Sequence, residues 1–312
     1  MKHLTGSLKR NLSLPNDRYK EVKSVLNKHK KRDSWFLDDY SINPYEGCGF
    51  NCSYCYIRGS KYEENLAKKI TVKQNAIEVL DKQLANRAKK GQFGFIAVGS
   101  ATDAYMQVEK DLLQTRKMLE VILKHRFPVF ISTKSTLIIR DTDLLKEIDK
   151  TAKLPADLSA SFSHGVILSF SLSTLDETIS KQIEPGAPSP LKRLETLATC
   201  KEHGLFAGVN AMPLLPFISD TDEELEKIVV TAKNHSADYI LAAGLTLFGD
   251  QPEDSKTLYY RFLEKNYPAL TRQYDEMFGN NYYQPWSYQN ELKKKVRKYC
   301  DKYQIRDAIL EK

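Results

Sequence analysis

Three of the five cysteines in this chain of 312 residues lie between positions 48 and 55. Cys48, Cys52 and Cys55 have the spacing C-x3-C-x2-C, whereas Cys200 and Cys300 lie far away in helix-like sequence. Cysteine thiolates are the usual ligands of iron–sulfur clusters. Three local thiolates on a four-iron cluster leave one iron with an open position, which is typical of a catalytic metal centre. The spacing therefore predicts a [4Fe-4S] cluster and a redox enzyme.

The alternative for these thiols is a zinc site, or no metal at all. A structural zinc ion takes four ligands, and the nearest histidines, His29 and His125, are at no regular spacing from the cysteines. Five cysteines are too few for a disulfide scaffold in a chain of this length. Gly47 and Gly49 give the backbone the freedom that a loop around an inorganic core requires.

The rest of the sequence alternates between short apolar runs and helix-like segments, which indicates an α/β fold. The predicted strands are Tyr40–Tyr45, Phe93–Gly99, Pro128–Thr133, Gly165–Ser173, Leu205–Met212 and Tyr239–Phe248. The predicted helices are Leu66–Lys90, Lys110–His125, Asp143–Lys150, Ser189–His203 and Asp222–His235. Such alternation predicts a parallel sheet with functional residues after the carboxyl ends of its strands, and both a partial barrel and a doubly wound sheet fit it.

The composition favours one main domain with extensions. We expect residues 1–34 to be a basic N-terminal extension, residues 35–250 the core domain and residues 251–312 a helical cover. Residues 1–33 carry a net charge of +7 and residues 291–312 one of +4, so residues 34–290 carry −4. Basic ends can attract nucleic acid, although solvated tails are the alternative. Neither a membrane span nor a secretory signal is predicted, so we expect a cytoplasmic location.

Several motifs together resemble the radical S-adenosylmethionine enzymes. Tyr54 occupies the aromatic position of C-x3-C-x-(aromatic)-C, and the wider sequence resembles the subgroup related to spore photoproduct lyase, often labelled DNA repair photolyase. The matching segments are Asn43–Cys48, Cys55–Arg58, Thr102–Tyr105 with Glu109, Thr115–Arg116, Thr133–Ser135, Arg140–Asp141, Glu184–Ser189 with Arg193, Pro213–Pro216 and Asp220–Asp222. The resemblance covers roughly residues 35–250.

The resemblance implies a partial (β/α)6 TIM-type barrel with extra C-terminal helices, and two cofactors. These are a [4Fe-4S] cluster and S-adenosyl-L-methionine, whose amino and carboxylate groups chelate the open iron. One electron from the reduced cluster cleaves this cofactor to methionine and a 5′-deoxyadenosyl radical, which abstracts hydrogen from a substrate. A reductant such as flavodoxin or ferredoxin is then the expected partner.

Candidate cofactor-binding residues follow from the same resemblance and from their positions at strand ends. Lys134 could pair with the methionine carboxylate as a point charge. Thr102 and Ser171 could form hydrogen bonds with the methionine or ribose moieties. Tyr54, Tyr56 and Tyr105 lie in the motif loops, where they could stack on adenine or substrate or relay hydrogen; Tyr105 is a catalytic candidate together with Cys48, Cys52 and Cys55. Asp103 and Glu184 are candidate pocket carboxylates, with cap or salt-bridge duty as the alternative.

One position departs from the resemblance. Spore photoproduct lyase uses a further cysteine to return hydrogen to the product radical, and by motif alignment Ser100 stands in its place. A serine O–H bond is far stronger than a thiol S–H bond, so Ser100 is expected to be a poor hydrogen donor.

Three functions therefore remain open at this point. The first is an enzyme acting on nucleic acid, which the subgroup and the basic ends favour. The second is radical modification of a peptide or small metabolite, which Ser100 and the acidic middle favour. The third is a non-catalytic cluster-binding protein. The sequence predicts no oligomeric state.

Overall fold

The computed structural model of the protein describes residues 15–60 and 70–310. The strands in these ranges are β1 (Tyr19–Lys20), β2 (Asn27–Lys28), β3 (Asp38–Ile42), β4 (Tyr45–Glu46), β5 (Thr71–Lys73), β6 (Phe95–Val98), β7 (Val129–Thr133), β8 (Val166–Ser171), β9 (Phe206–Ala211) and β10 (Ile240–Ala242). The helices are α1 (Ala76–Lys89), α2 (Glu109–Leu112), α3 (Gln114–His125), α4 (Thr142–Thr151), α5 (Glu177–Ile183), α6 (Pro190–Glu202), α7 (Asp222–Asn234), α8 (Ser255–Asn266), α9 (Thr271–Phe278) and α10 (Trp286–Tyr303).

The main sheet has the strand order β10-β9-β8-β7-β6-β3-β2. The pairs from β10 to β3 are all parallel, and β2 pairs antiparallel with β3 at the edge. Parallel neighbours require crossover connections, which the helices between the strands supply. The predicted partial (β/α)6 barrel of the TIM type, with additional C-terminal helices, is confirmed.

The two faces of this sheet have different partners, because successive residues of a strand point to opposite faces. One face packs on the apolar sides of the helices, with residues such as Ile131, Phe170 and Val209 in contact with the helical layer. The other face carries Phe95, Phe130, Ile167 and Phe206 near the strand starts, where they form an apolar plug. Further along the same face the side chains become polar, namely Ser132, Ser169, Ser171 and Asn210. The inner face is therefore apolar at one end of the barrel and polar at its carboxyl end.

The predicted strand Tyr40–Tyr45 is two strands, β3 and β4, separated at Asn43 and Pro44. Proline lacks an N–H group and restricts the residue before it, so a continuous strand would lose a ladder hydrogen bond here. β4 instead joins β1 and β5 in a small three-stranded sheet. This small sheet positions the loop that follows Glu46 and contains the cysteines.

The helices differ from the prediction in two places. The segment predicted as one helix over Lys110–His125 is divided into α2 and α3 at Leu113, which has a φ of +55°. The Glu109 carboxylate accepts hydrogen bonds from the N–H groups of Thr115 (2.9 Å) and Arg116 (3.3 Å), and so satisfies the start of α3. The predicted first helix, Leu66–Lys90, is wrong at its start: Leu66 lies outside the described residues, Thr71–Lys73 form β5, and α1 begins at Ala76. Thr71 and Val72 are β-branched, which favours the strand that pairs with β1 and β4. Among the helices of the described ranges, none is long and apolar enough to cross a membrane.

The basic residues of α10 are paired within the molecule. Lys295 and Lys298 lie 3.6 and 3.8 Å from the Asp222 carboxylate of α7, and Lys302 lies 2.5 Å from Glu226. Tyr299 also donates a hydrogen bond to Asp222 (2.8 Å). These contacts attach α10 to α7. The division into three regions at residues 34 and 250 stays a prediction.

Candidate active site

The three cysteines lie in one loop directly after β4. Gly47 has a φ of +79°, a conformation that glycine adopts without strain, and Cys48 follows it. Cys52 is buried, and Cys48 and Cys55 are half-buried. All three contact the same apolar cluster, in which Phe50 is buried. The predicted grouping of the thiols in one loop is therefore present.

A second loop, after α5, supports the cysteine loop from one side. The N–H of Ser53 donates to the Ile183 carbonyl oxygen (2.9 Å), and the N–H of Gly186 donates to that of Phe50 (3.1 Å). A side chain at position 186 would clash with the backbone of Gly49 and Phe50. Gly186 thus allows the close approach of the two loops, whereas Gly49 has ordinary backbone geometry.

Burial raises the pKa of all three thiols. It raises the pKa of Cys48 to about 11, and a nearby Asp103 carboxylate adds to this. The pKa of Cys52 and that of Cys55 are also raised by burial, and the Lys134 ammonium opposes the rise at both. Buried thiolates require compensating positive charge. Iron would supply that charge, so the donor set fits an iron–sulfur cluster.

The three cysteines of the loop are not arranged as the ligands of a single metal ion. Within residues 15–60 and 70–310, no three His, Cys, Asp or Glu side chains come close enough to hold a single ion. Each thiolate of a four-iron cluster binds a different iron, so its ligands lie farther apart than those of one ion.

Lys134 follows β7 and is positioned through Asp103. Its backbone N–H donates to Asp103 Oδ2 (2.8 Å), while the Thr133 hydroxyl and the Tyr105 N–H donate to Oδ1 (2.8 and 2.9 Å). Burial raises the pKa of Asp103, and these hydrogen bonds oppose the rise. Asp103, a candidate pocket carboxylate, thus joins the loops after β6 and β7.

The Lys134 side chain extends toward the cysteine loop. Its Nζ lies 5.8 Å from the centre of the Tyr54 ring, in a cation–π arrangement. Burial alone would lower its pKa, but the neighbouring Cys52 and Glu184 groups outweigh burial, and the pKa is raised. The ammonium group therefore stays charged beside Cys52.

Glu184 is the centre of a buried polar network under Tyr54. It accepts hydrogen bonds from the Tyr54 hydroxyl and from Arg193. Ser173 donates to the Tyr54 hydroxyl (2.8 Å), and Arg193 also donates to the Ser171 carbonyl oxygen (2.9 Å). Burial raises the pKa of Glu184, but the Arg193 and Lys134 charges outweigh burial, so the net pKa lies below the usual value. Tyr54 is thus fixed in place by a carboxylate that stays ionised.

A second buried network holds the other side of the cysteine loop. Glu109 accepts hydrogen bonds from the Tyr45 hydroxyl of β4 and from Arg140 Nη2 (2.7 Å). Asp141 binds the guanidinium groups of Arg140 (2.7 Å) and Arg116 (2.9 Å). Because both carboxylates are fully buried and paired, these motif residues stabilise the scaffold.

Tyr105, the catalytic candidate of this region, is fully buried. Its side chain lies in the main hydrophobic core. Burial raises the pKa of its hydroxyl well above the usual value, and the nearby Asp141 and Glu109 charges add to this rise. Its role in catalysis stays a prediction.

Thr102 and Ser171 lie near the carboxyl ends of the strands, as predicted. Among the described residues, nothing forms a hydrogen bond with Thr102 Oγ1, although this atom is buried. Ser171 Oγ lies 3.2 Å from Ser132 Oγ of the neighbouring strand. Ser132 and Asn210 lie beside Ser171 on the polar inner face of the sheet, and no sequence motif includes either residue. The signal for Asn210 is a polar residue within an otherwise apolar strand.

Tyr56 and Ser100 are in contact at the surface of the site. The Tyr56 hydroxyl donates to the Ser100 carbonyl oxygen (2.6 Å), and Asn43 Nδ2 donates to Ser100 Oγ (3.4 Å). Both Tyr56 and Ser100 are exposed. The position predicted for a hydrogen donor is therefore accessible, but it carries a hydroxyl group.

Comparisons with known proteins find chains of similar sequence. A protein of Mycobacterium tuberculosis (strain H37Rv), described as uncharacterized, is 25% identical over 272 residues, which are 85% of this chain and 75% of that one. An uncharacterized protein of Methanocaldococcus jannaschii is 31% identical over 186 residues, 59% of this chain and 63% of that one. A protein of Pseudomonas phage M6 named Radical SAM Nalpha-GlyT isomerase is 21% identical over 250 residues, 79% of this chain and 47% of that one.

Solved structures share the fold. Spore photoproduct lyase complexed with dinucleoside spore photoproduct superimposes with a TM-score of 0.63 at 16% identity, over 91% of this chain and 78% of that one. A variant of that lyase with bound AdoMet and dinucleoside spore photoproduct gives a TM-score of 0.60 at 17% identity, over 88% of this chain and 76% of that one.

The family profile described as the Radical SAM superfamily matches residues 42–231, which is more than half of the chain and includes the three cysteines and every strand from β6 to β9. Membership of this superfamily implies a [4Fe-4S] cluster and S-adenosylmethionine. The chain belongs to the radical SAM superfamily.

Proposed function

We propose that the protein uses Cys48, Cys52 and Cys55 to hold a [4Fe-4S] cluster and abstracts hydrogen from a substrate by reductive cleavage of S-adenosylmethionine. When bound, the cluster supplies the electron for that cleavage. The observation that carries the proposal is the position of Lys134, whose ammonium lies over the ring of Tyr54 in the cysteine loop, 5.8 Å from the ring centre. A cation next to three clustered thiols is what an anionic carboxylate at the open iron would require.

In this proposal the residues around the cysteines divide the work of binding. Lys134 pairs with the methionine carboxylate, and the Asp103 contact holds the backbone of Lys134 directly after β7. Thr102 offers a buried hydroxyl that has no hydrogen-bond partner within residues 15–60 and 70–310, and Ser171 offers a hydroxyl at the end of β8. Tyr54 supports Lys134 through its ring, while Tyr56 lies at the exposed rim.

We propose further that the substrate is not spore photoproduct. The support is Ser100, an exposed serine in the position of the hydrogen-returning cysteine. The missing donor cysteine and the net charge of −4 over residues 34–290 favour a peptide or small metabolite over nucleic acid. A nucleic-acid substrate is the competing proposal, and binding of an oligonucleotide that weakens steeply with salt would support it. An electron donor such as flavodoxin or ferredoxin and a cytoplasmic location complete the proposal.

The test is cofactor cleavage by the reconstituted protein. Anaerobically loaded protein, reduced with dithionite, is incubated with S-adenosylmethionine, and 5′-deoxyadenosine and methionine are quantified by chromatography. The proposal predicts that native protein forms 5′-deoxyadenosine and methionine in a one-to-one ratio. The matched control Cys200→Ala should form the same amounts as native protein, and Cys52→Ala should form neither product. Native protein that holds a full cluster but forms no 5′-deoxyadenosine would refute it.

A further inference from the structure

The loop that leads into α10 lies along the chain that follows β10, at the carboxyl end of the barrel. The N–H of Leu247 donates to the Tyr282 carbonyl oxygen (3.0 Å). Thr246 and Tyr283 form an antiparallel bridge beside this contact. Leu247 also belongs to the buried apolar cluster that contains Cys52. Residues beyond the part that matches the superfamily profile are therefore attached to the surroundings of the cysteine loop.

Gln284, in the middle of this loop, has a buried hydrogen-bond donor without a partner. Only 3% of its surface is exposed, and no residue within 15–60 and 70–310 accepts a hydrogen bond from Nε2. The amide group lies against Gly244, where a Cβ atom would come within 2.7 Å of Gln284 Oε1. The missing side chain at Gly244 thus makes room for the amide. A buried donor without an acceptor costs free energy, so native proteins rarely keep one unless a ligand or water completes it.

Three large aromatic side chains on either side of Gln284 are exposed. Tyr282, Tyr283 and Trp286 have 51%, 53% and 78% of their surface in contact with water. The Tyr282 and Tyr283 rings pack on Phe248, with 4.8 and 6.1 Å between ring centres. Tyrosine and tryptophan are enriched at protein interfaces, where they provide a large contact area at a low cost in conformational entropy. A patch of three such rings indicates a docking surface.

The charge and the openness of this surface favour a peptide as its partner. Residues 244–249 and 279–290, which form it, contain no lysine, arginine or histidine. Single-stranded nucleic acid also stacks on aromatic rings, but its phosphates require cations in the same groove. A small metabolite is bound in a pocket that buries about 70–90% of its surface, whereas these rings are open to water. An uncharged stretch of peptide supplies both a carbonyl acceptor for an amide N–H and apolar side chains for the rings.

We propose that Tyr282–Trp286 is the docking segment for a peptide substrate, in which Gln284 Nε2 donates to a backbone carbonyl oxygen of the peptide and the three rings pack on its apolar side chains. The neighbours Tyr283 and Pro285 are exposed, so a peptide on the rings lies over the Gln284 amide. The last torsion of a glutamine side chain is soft, and its rotation turns Nε2 toward the peptide. This inference rests on the proposed function and names the substrate class of the same site.

Selection from a peptide library tests the rings. Cluster-loaded native protein is immobilised under anaerobic conditions and incubated with a phage-displayed library of random octapeptides, and the retained sequences are counted. Native protein should retain peptides rich in aromatic and aliphatic residues well above an empty support. Trp286→Ser should reduce this retention about tenfold, as expected for an aromatic anchor of an interface. The matched control is Leu191→Ser, at an exposed apolar position on α6 outside the docking segment, which should retain as much as native protein.

A selected octapeptide, synthesised with a fluorescent label, then tests the hydrogen bond by fluorescence polarisation. Gln284→Met keeps the length of the side chain but removes the donor, and it should bind the peptide about three- to tenfold more weakly. Each backbone carbonyl oxygen of the peptide is also replaced in turn by sulfur, a weaker acceptor. At one position this replacement should weaken binding to native protein about three- to tenfold and leave binding to Gln284→Met unchanged.

The outcomes separate this inference from the proposed chemistry. Retention no higher than that of the empty support overturns the docking segment, and so does a Trp286→Ser protein with native melting temperature and native retention. A random single-stranded oligonucleotide that binds native protein but not Trp286→Ser assigns the rings to nucleic acid and overturns the peptide. If no sulfur replacement distinguishes native protein from Gln284→Met, the Gln284 contact is wrong. Native protein that retains peptides through these rings but forms no 5′-deoxyadenosine refutes the proposed chemistry, whereas cleavage without retention refutes this inference.

Discussion

The Arg58 guanidinium donates a hydrogen bond from Nε to the carbonyl oxygen of Cys52, over 3.0 Å. Arg58 is almost fully buried and also donates to the side chain of Asn51 and to the backbone oxygen of Glu253 (3.1 Å). One side chain thus connects the cysteine loop with the segment that leads into the C-terminal helices. The family profile ends at residue 231, so this connection extends the site beyond the matched region.

We expect Arg58→Ala to destabilise the cysteine loop. Removing the guanidinium leaves the carbonyl oxygen of the buried Cys52 without this donor, which costs about 1–3 kcal/mol. The melting temperature should fall, and a chelator should remove iron from the loaded protein faster than from native protein under anaerobic conditions. Arg58→Lys should fail to restore either property, because an ammonium cannot reproduce the planar set of donors.

The matched control for Arg58 is Glu253→Gln. The Glu253 carboxylate is exposed and lies 3.7 Å from the guanidinium, whereas the contact that matters uses its backbone oxygen. Exposed ion pairs contribute little. Iron loss from Glu253→Gln as fast as from Arg58→Ala would contradict the assignment of the effect to the loop contacts.

The cysteines themselves give the most direct prediction. Anaerobically reconstituted native protein should contain about four irons and four sulfides per chain. Cys48→Ala, Cys52→Ala and Cys55→Ala should each lose the cluster, while Cys200→Ala and Cys300→Ala should keep it because both lie in the hydrophobic core away from the loop. Iron and sulfide assays and the visible absorption spectrum measure this. Stoichiometric zinc without visible absorption would show that the cluster assignment is wrong.

Lys134→Met should weaken binding of S-adenosylmethionine while the iron content stays native. The substitution keeps the length of the side chain and removes the charge that faces the carboxylate. A charge-assisted contact contributes about 1.5–3 kcal/mol, which is roughly tenfold to a hundredfold in affinity. Isothermal titration with the loaded protein measures the dissociation constant.

The control for Lys134 is Lys150→Met, at an exposed position on α4. Its affinity should equal that of native protein. An unchanged dissociation constant in Lys134→Met would show that Lys134 does not bind the cofactor. Its charge would then serve only to stabilise the Glu184 network.

The sequence predicts the barrel well where the strands are apolar and long. β7 and β8 differ from the predicted Pro128–Thr133 and Gly165–Ser173 by one or two residues at their ends. β1, β4 and β5 have two or three residues each, too few for any periodicity, and their pairing depends on contacts between distant segments. After α6, Gly204 has a φ of +80°, which glycine adopts without strain, whereas the Ser189 side chain at the start of that helix makes no cap hydrogen bond.

The site was predictable to the extent that its chemistry is local. The spacing of the three cysteines predicts that they act together, and the positions of Lys134 and Ser171 at strand ends make them candidates for the cofactor site. The functions of Asp103 and Glu184 depend on partners 30 and 9 residues away, such as Thr133 and Arg193, and no local pattern reveals those pairs. Asn210 was missed for the same reason, because its hydrogen bond to Ser132 forms only after β7, β8 and β9 are assembled.

The final prediction concerns the hydrogen donor at position 100. The native protein should cleave S-adenosylmethionine but should not repair spore photoproduct, because transfer of hydrogen from a serine hydroxyl to a carbon radical is steeply uphill. Reduced, loaded protein is incubated with cofactor and a dinucleotide photoproduct, and 5′-deoxyadenosine and repaired thymine dinucleotide are quantified. Ser100→Cys should place a thiol at an exposed position next to Tyr56, whose hydroxyl already contacts the residue 100 carbonyl oxygen (2.6 Å). A gain of repair in Ser100→Cys, absent in the size-matched Ser100→Ala, would confirm the position and show that the natural substrate is a different molecule. Efficient repair by the native protein would instead show that a residue other than Ser100 returns the hydrogen, and the buried Tyr105 and the exposed Tyr56 would then be the first to be substituted by phenylalanine.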